Sequence, residues 1–373
     1  MKTIHETEST PKADGFRMPA EFEPQTRVWM LWPRRTDTWS FGAKPAQKQY
    51  AEIAKAISKF TPVVIAVNEP DYKNAHAMFE DVENVRVIEL SSDDAWIRDT
   101  GATYVINDSG EVRGIDWHFN AYGGFYDGLY FPWDKDQEIA QKMCEFSGVR
   151  RYRPEDLILE GGSIHVDGEG TALVTEMCLL SPGRNPQYTK EQIEDKLKEY
   201  LNVETVIWVK DGIDPEETNG HIDDVACYIR PGVVACIWSD DPDYPFYQVA
   251  QDAYKTLSEA VDAKGRKLEV HKLCMPQKPL FMTQEAVDSI DVDENAEPRV
   301  EDEPLIASYM NFLITNKGII IPQYGDKNDE LAVEQLKEIF GPEYECVGVQ
   351  SEQVVYGGGN IHCITQQEPA PAK

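Results

Sequence analysis

SIHVDGEGTALVT, residues 163–175, contains two β-rich runs, 163–166 and 171–175, turned back on each other at Asp167-Gly168-Glu169-Gly170. A short polar turn carrying Gly or Pro between apolar, β-branched runs is a hairpin signal. The pattern recurs at 103–106 and 114–118 around Asp108-Ser109-Gly110, at 225–229 and 233–238 around Pro231-Gly232, and at 311–315 and 318–322 around Asn316-Lys317. Four hairpins of one type imply a repeated unit. Between them the apolar period lengthens to that of a helix at 45–59, 188–200, 247–261 and 328–340, while 62–67 and 85–90 read as single strands. The unit is therefore a hairpin, a helix and a further strand, an α/β module. Its spacing, roughly 60 to 85 residues, exceeds the familiar solenoid and blade periods. With no linker between units, the chain is expected to close as one catalytic domain spanning 1–373, with a central channel where the units converge. Two segments stand apart: residues 1–14, expected as an N-terminal tail, and 288–303, DSIDVDENAEPRVEDE, an expected acidic surface loop.

A chain of 373 residues can bury a large core. Its 41% hydrophobic content with 25 Gly and 23 Pro is ordinary globular usage, which excludes collagen-like, coiled-coil and wholly disordered classes. Thirty-six Lys and Arg against 66 Asp and Glu leave a net charge of −30. Such a field repels phosphate backbones and anionic membrane surfaces and concentrates cations. A small cationic ligand is thus the expected partner, and nucleic acid and membranes are not. Much of the charge also serves as solvated surface. Residues 1–14 lack the apolar run of an export signal, and runs such as 63–67 and 318–321 are too short to span a bilayer. Seven cysteines, an odd number without a Cys-x-x-Cys pair, read as reduced thiols in a cytoplasmic protein.

Glycines at 123–124, 161–162, 220 and 357–359 stand just before expected strands. They allow close backbone approach and present their polar neighbours at strand mouths. Those neighbours are Glu160, His221, Asp223, Asn360 and Cys363. His221-Ile222-Asp223, read as the start of a strand, sets an imidazole and a carboxylate on one face as a general acid/base pair, with a surface ion pair as the alternative. Cys363 ends the run YGGGNIHC, a nucleophile delivered into a pocket or else an inert buried thiol. His362 is expected on the opposite face, which leaves His221 as the better base. Cys178, Cys227 and Cys236 read as buried strand residues. Asp93, Asp94 and Asp99 surround Trp96 and Arg98, and carboxylates beside an aromatic ring are what a planar cation binds. Helix capping is the alternative for Asp93 and Asp94, and the residues alone do not choose among the three. HExxH, paired CxxC, EF-hand, Rossmann and Walker patterns are absent from the sequence, so neither metal nor cofactor is expected.

The blocks GFRMPAEFEPQ, DDAWIRDTG, LEGGSIHVDGEGTALVTEMCLLSPGRNP, DGIDPEETNGHIDDVACYIRPG, ASYMNFLITNKG and YGGGNIHCITQQ, spread over residues 15–367, resemble the agmatine deiminases of the guanidino-group-modifying superfamily. For fold, the resemblance implies a five-bladed, pseudo-symmetric α/β propeller of ββαβ modules, the pentein fold. For function it implies hydrolysis of agmatine to N-carbamoylputrescine and ammonia through a covalent thiouronium, a step of polyamine chemistry. It gives Cys363 the role of nucleophile and His221 that of acid/base. Asp99, singled out by the pattern Trp-x-Arg-Asp, and Asp223 would grip the guanidinium, with Glu160 orienting it and Trp96 walling the cleft. Glu216 and Glu217 suit the distal ammonium. A homo-oligomer is implied as well, and Trp117, Tyr122, Phe125, Tyr126, Tyr130 and Trp133 are candidates for an interface, the cleft or the core. Two rivals stand beside this reading. One is a deiminase of arginine or peptidyl-arginine, where free arginine would need a cation for its α-carboxylate. The other is a polyamine-binding propeller without chemistry.

Overall fold

The computed structural model describes residues 2–214 and 217–371, so the expectation for Glu216 lies outside the described residues. All four hairpins form, and each is followed by a helix and then by a strand lying parallel to the hairpin's second strand. Thr103–Asn107 and Val112–Ile115 pair antiparallel, and Arg151–Arg153 follows the helix Ile139–Ser147. His165–Val166 and Thr171–Thr175 lead to Lys190–Leu201 and Thr205–Val209. Ala226–Arg230 and Val233–Trp238 lead to Tyr247–Glu259 and Glu269–Cys274. Leu313–Ile314 and Gly318–Gln323 lead to Asp329–Phe340 and Glu345–Gln350.

A fifth unit is assembled from the two ends of the chain. Gln366–Pro369 pairs antiparallel with Gln25–Leu31, after which come the helix Lys44–Ser58 and the parallel strand Val63–Val67. Val85–Glu89 extends this sheet after a second helix, Glu69–Phe79. The described residues thus form five sheets. The hairpin of the fifth unit has no local turn, because its strands belong to opposite termini, and periodicity along the sequence does not reveal it.

Local chemistry explains the elements. Lys44–Ser58 starts with Pro45 in its first turn and turns Tyr50, Ile53, Ala54 and Ile57 inward. Lys190–Leu201 opens with a capping box between Thr189 and Gln192, ends at Asn202 in the left-handed region, and buries Ile193, Leu197, Tyr200 and Leu201. Thr3–His5, within the expected tail, pairs with Arg151–Arg153 at a sheet edge. Residues 289–303 carry no helix or strand, but their backbone is tied down. Asp291 N–H donates to Thr36 O at 2.8 Å, Phe131 N–H to Asn295 O at 2.9 Å, and Glu297 N–H to Leu129 O at 3.0 Å.

Three local expectations are corrected. His221-Ile222-Asp223 does not open a strand: Ile222–Asp224 is a single 3-10 turn, and the strand begins at Ala226. The short polar side chains of Asp223 and Asp224 are drawn to His362 and Asn311, which holds the backbone in the turn. Cys363 also lies in a turn, closed where Thr365 Oγ1 donates to the carbonyls of Ile361 and His362. Cys178 sits in the short helix Glu176–Leu179 rather than a strand. Among the described residues no helix is long and apolar enough to cross a membrane.

Candidate active site

Each unit delivers polar groups from the segment that runs into its first strand. Asp99 precedes Thr103–Asn107, Glu160 precedes His165–Val166, and His221 with Asp223 precedes Ala226–Arg230. Asn311 precedes Leu313–Ile314, and Cys363 precedes Gln366–Pro369. All these side chains are buried. Their convergence turns on Gly162: a Cβ built there would lie 2.5 Å from His221 Nδ1 and 3.0 Å from both Asp223 Oδ2 and Asp99 Oδ1. Three units therefore meet in the space of one absent methyl. Gly162→Ala should lower kcat by on the order of 10²-fold with the fold retained, because displacement of about 1 Å at reacting groups has that effect. Steady-state kinetics beside thermal unfolding check this, and near wild-type turnover would contradict it.

Around that point the carboxylates are held differently. Asp99 accepts from Tyr122 Oη and from Gly162 N–H, both at 2.9 Å. Glu160 accepts Arg184 Nε at 2.7 Å through one oxygen and turns the other toward His221 Nε2, 3.9 Å away. Asp223 accepts from His362 through Oδ2. His221 Nδ1 stands 3.7 Å from Asp99 Oδ1. Both ring nitrogens of His221, Glu160 Oε2 and Asp223 Oδ1 are buried with no hydrogen-bond partner. Buried polar groups ordinarily find partners, so four such atoms together mark a place made for a polar ligand.

Electrostatics follow from this crowding. Burial pushes the Asp99 carboxyl up to about 6, with His221 pulling it down and Asp223 and Glu160 pushing it further up. Burial also raises Asp223, but His362, His221 and Arg98 more than offset it and leave this carboxyl below its ordinary value. His221 is pulled down by burial, yet Asp99, Cys178 and Glu160 carry it well above the usual imidazole range, so it rests as imidazolium. The Cys363 thiol is pushed well up by burial and then by Asp223, Asp224 and Asp99. Its sulfur lies 3.2 Å from Asn311 Nδ2 and 3.9 Å from Asp223 Oδ2.

The cleft above the sulfur is lined by Asp94, Trp96, Asp99, Tyr122, Tyr130 and Glu217, among others. Trp96 forms one wall, its indole N–H donating to Asp94 at 2.9 Å and its ring stacked on Trp39. Gly359 leaves room for it, since a Cβ there would come within 2.7 Å of Trp96 and 3.2 Å of the Cys363 sulfur. Asp94 thus positions two indoles, and Asp93 faces Lys135. Tyr122 and Tyr130 line the cleft, Trp117 is buried, and Phe125 and Tyr126 are exposed. Glu217 lies at the cleft's edge, ion-paired with Arg299, which also donates to Gly357 O at 2.7 Å. Arg299 is the one Lys or Arg among the described residues that line the cleft. Three groupings of side chains, each with its polar atoms within 4.8 Å of one another, lie in this network: Glu160, Cys178 and His221; Asp223, Asp224 and Cys363; Glu21, His165 and His362.

Reasoning from sequence missed Asn311, Arg184, Glu21 and Arg299. Asn311 carries a signal in its place at the mouth of a hairpin strand, matching the other site residues, and Arg299 a weaker one as the single basic residue of 288–303.

Residues 17–369 match the model of the Porphyromonas-type peptidyl-arginine deiminase family. An agmatine deiminase of Pseudomonas aeruginosa is 53% identical over 365 residues, covering 98% of both chains. The structure of the agmatine deiminase of Enterococcus faecalis catalysing its reaction superposes with a TM-score of 0.95 at 58% identity, covering 98% of each chain. A Campylobacter jejuni agmatine deiminase, a cysteine-to-serine variant with substrate bound, gives 0.82 at 27% identity and covers 96% of this chain and 97% of its own. With its polar strand mouths drawn into one buried site and these relatives matched over nearly its whole length, this chain belongs to the agmatine deiminases of the peptidyl-arginine-deiminase-like superfamily.

Proposed function

We propose that the site hydrolyses agmatine to N-carbamoylputrescine and ammonia, with Cys363 as nucleophile and His221 as acid/base. The observation that carries this is the set of unpartnered buried atoms on Glu160, His221 and Asp223 beside a buried thiol. Agmatine is a dication. Asp99 and Asp223 hold its guanidinium flat against the sulfur, and Glu160 orients it. A thiol raised by burial and then by three neighbouring carboxylates stays neutral until a positive charge arrives, so the substrate itself promotes thiolate formation, the thiol proton leaving to solvent. The thiolate attacks the guanidinium carbon and a C–S bond forms. Imidazolium His221 gives its proton to one amino group, the C–N bond breaks, and ammonia leaves a thiouronium. Neutral His221 then takes a proton from water, hydroxide adds to the carbon, and the C–S bond breaks as the added hydroxyl passes its proton to the departing sulfur, returning the neutral thiol and N-carbamoylputrescine. Trp96 walls the cleft, and Glu217, although paired with Arg299, brings a carboxylate to the end where the distal ammonium would lie.

The five sheets of shared strand order support a five-bladed propeller closed as one domain, with residues 288–303 as an acidic surface loop. The resemblance also supports a homo-oligomer in the cytoplasm.

Two experiments test the reading. For free arginine, Arg299 is already engaged by Glu217 and Gly357, so an α-carboxylate would be buried among acids. Ammonia release should favour agmatine over arginine by about 10²- to 10³-fold in kcat/KM, as an unpaired buried charge dictates; equal rates would contradict the assignment. The second is pH. Asp99 takes its proton near 6 and a neutral acid does not hold a guanidinium, so kcat/KM should fall as pH drops through about 6. A profile level well below that pH would remove Asp99 from the grip.

A further inference from the structure

His362 has no task in the steps above, yet it is enclosed between two carboxylates. Nδ1 lies 2.8 Å from Asp223 Oδ2 and Nε2 lies 2.8 Å from Glu21 Oε2. A neutral imidazole has one N–H and one lone pair, so it can donate to one carboxylate only; donating to both requires a doubly protonated ring. The other Glu21 oxygen accepts Ile314 N–H at 2.7 Å, so the carboxylate cannot turn away without orphaning a buried donor. Asp223 Oδ2 is the oxygen 3.9 Å from the Cys363 sulfur, and Asp223 Oδ1 is without a partner.

We infer that Glu21 is a positioning residue for the deimination reading, on which this assignment rests: it holds the His362 ring doubly protonated between itself and Asp223. The ring pins Oδ2 of Asp223, leaves Oδ1 for the substrate, and sets a fixed positive charge beside the carboxylate next to the thiol.

Other charged and titratable groups also face this pair. Arg98 comes from the short helix Ile97–Thr100, its Nε donating to the His362 carbonyl at 3.2 Å. His165 and Cys227 come from neighbouring strands, and His221 and Asp224 flank Asp223. His165 is not a competing cation. Its Nδ1 accepts Tyr228 N–H at 3.3 Å, its Nε2 faces Cys227 Sγ at 3.3 Å and Glu21 Oε2 at 3.6 Å, and burial pulls its pKa down. For His362, burial and Arg98 oppose the second proton, and Glu21 with Asp223 outweighs them. Loss of the Glu21 charge therefore lowers the pH at which the ring deprotonates. In Glu21→Gln the amide oxygen can accept Ile314 N–H and the amide nitrogen can donate to Nε2, so packing is kept while the ring becomes neutral. Asp223 then faces the thiol without its counter-charge, and the thiol ionises at higher pH.

Two measurements decide this without agmatine turnover. In nitrogen-15 NMR of labelled histidine, one ring, identified by its absence from His362→Gln, should be doubly protonated at neutral pH in the wild type. In Glu21→Gln that ring should titrate lower by about one pH unit or more, the effect of removing an opposite charge at contact. The rate of Cys363 alkylation by iodoacetamide against pH, with mass mapping of the site, should have its midpoint at higher pH in Glu21→Gln than in wild type. A wild-type His362 ring singly protonated at neutral pH overturns the inference whether or not the variant folds. So does an alkylation midpoint that stays or moves down. Absence of ammonia release from agmatine by the wild type would overturn the deiminase reading instead, and these two measurements would still judge Glu21.

Discussion

Cys363→Ala is expected to lose turnover of agmatine by on the order of 10⁴-fold or more in kcat, the consequence of removing a nucleophile that forms a covalent bond. Cys363 is buried, at 5% exposure, and its sulfur touches Asn311 and Asp223. Alanine leaves the backbone of its turn unchanged, because that turn is closed by Thr365 and by Arg98 N–H donating to the Cys363 carbonyl at 3.1 Å. The grip on the cation does not depend on the thiol, so agmatine should still bind. Ammonia release and calorimetric binding, measured on the same preparation, separate the two effects. Residual activity near wild type would remove Cys363 from the chemistry.

The second large effect is at Asp223. Its replacement by alanine leaves the guanidinium with one anionic partner in a water-poor site and deprives His362 of a partner. Stripping one member from a buried charge pair costs about 3 to 5 kcal/mol. In kcat/KM this is on the order of 10²- to 10⁴-fold. The expected loss is larger than for Asp99→Ala at acidic pH, since Asp99 is already protonated below about 6 while Asp223 stays ionised. A loss of less than tenfold would mean that Asp223 does not hold the substrate.

Much of this site was legible because its chemistry lies at repeated positions. The hairpin signals located four of the five units, and the glycines before expected strands pointed to Glu160, His221, Asp223 and Cys363, while only the resemblance separates Asp99 from Asp93 and Asp94. The fifth unit was hidden because Gln25–Leu31 and Gln366–Pro369 share no turn. The turn at Ile222–Asp224 was mistaken for strand because its side chains are satisfied by distant partners, Asn311 and His362, which no local spacing reports. The same holds for Glu21 against His362, at opposite ends of the chain, and for Arg184 against Glu160, 24 residues away. Arg299 did carry a weak mark, as the single basic residue of 288–303, but a composition reading treats that stretch as solvated charge. Cys178 was assigned to an apolar strand, and only tertiary contact sets it beside His221 and Glu160.

The most direct test of the account is mass spectrometry of the protein acid-quenched during turnover of agmatine, with peptide mapping. The expected result is the mass of agmatine less ammonia, an N-(4-aminobutyl)amidino group, on Cys363, absent without substrate and absent from Cys363→Ala. Turnover with no such adduct under any quench, or an adduct mapped to another cysteine, would contradict a covalent reaction at this thiol.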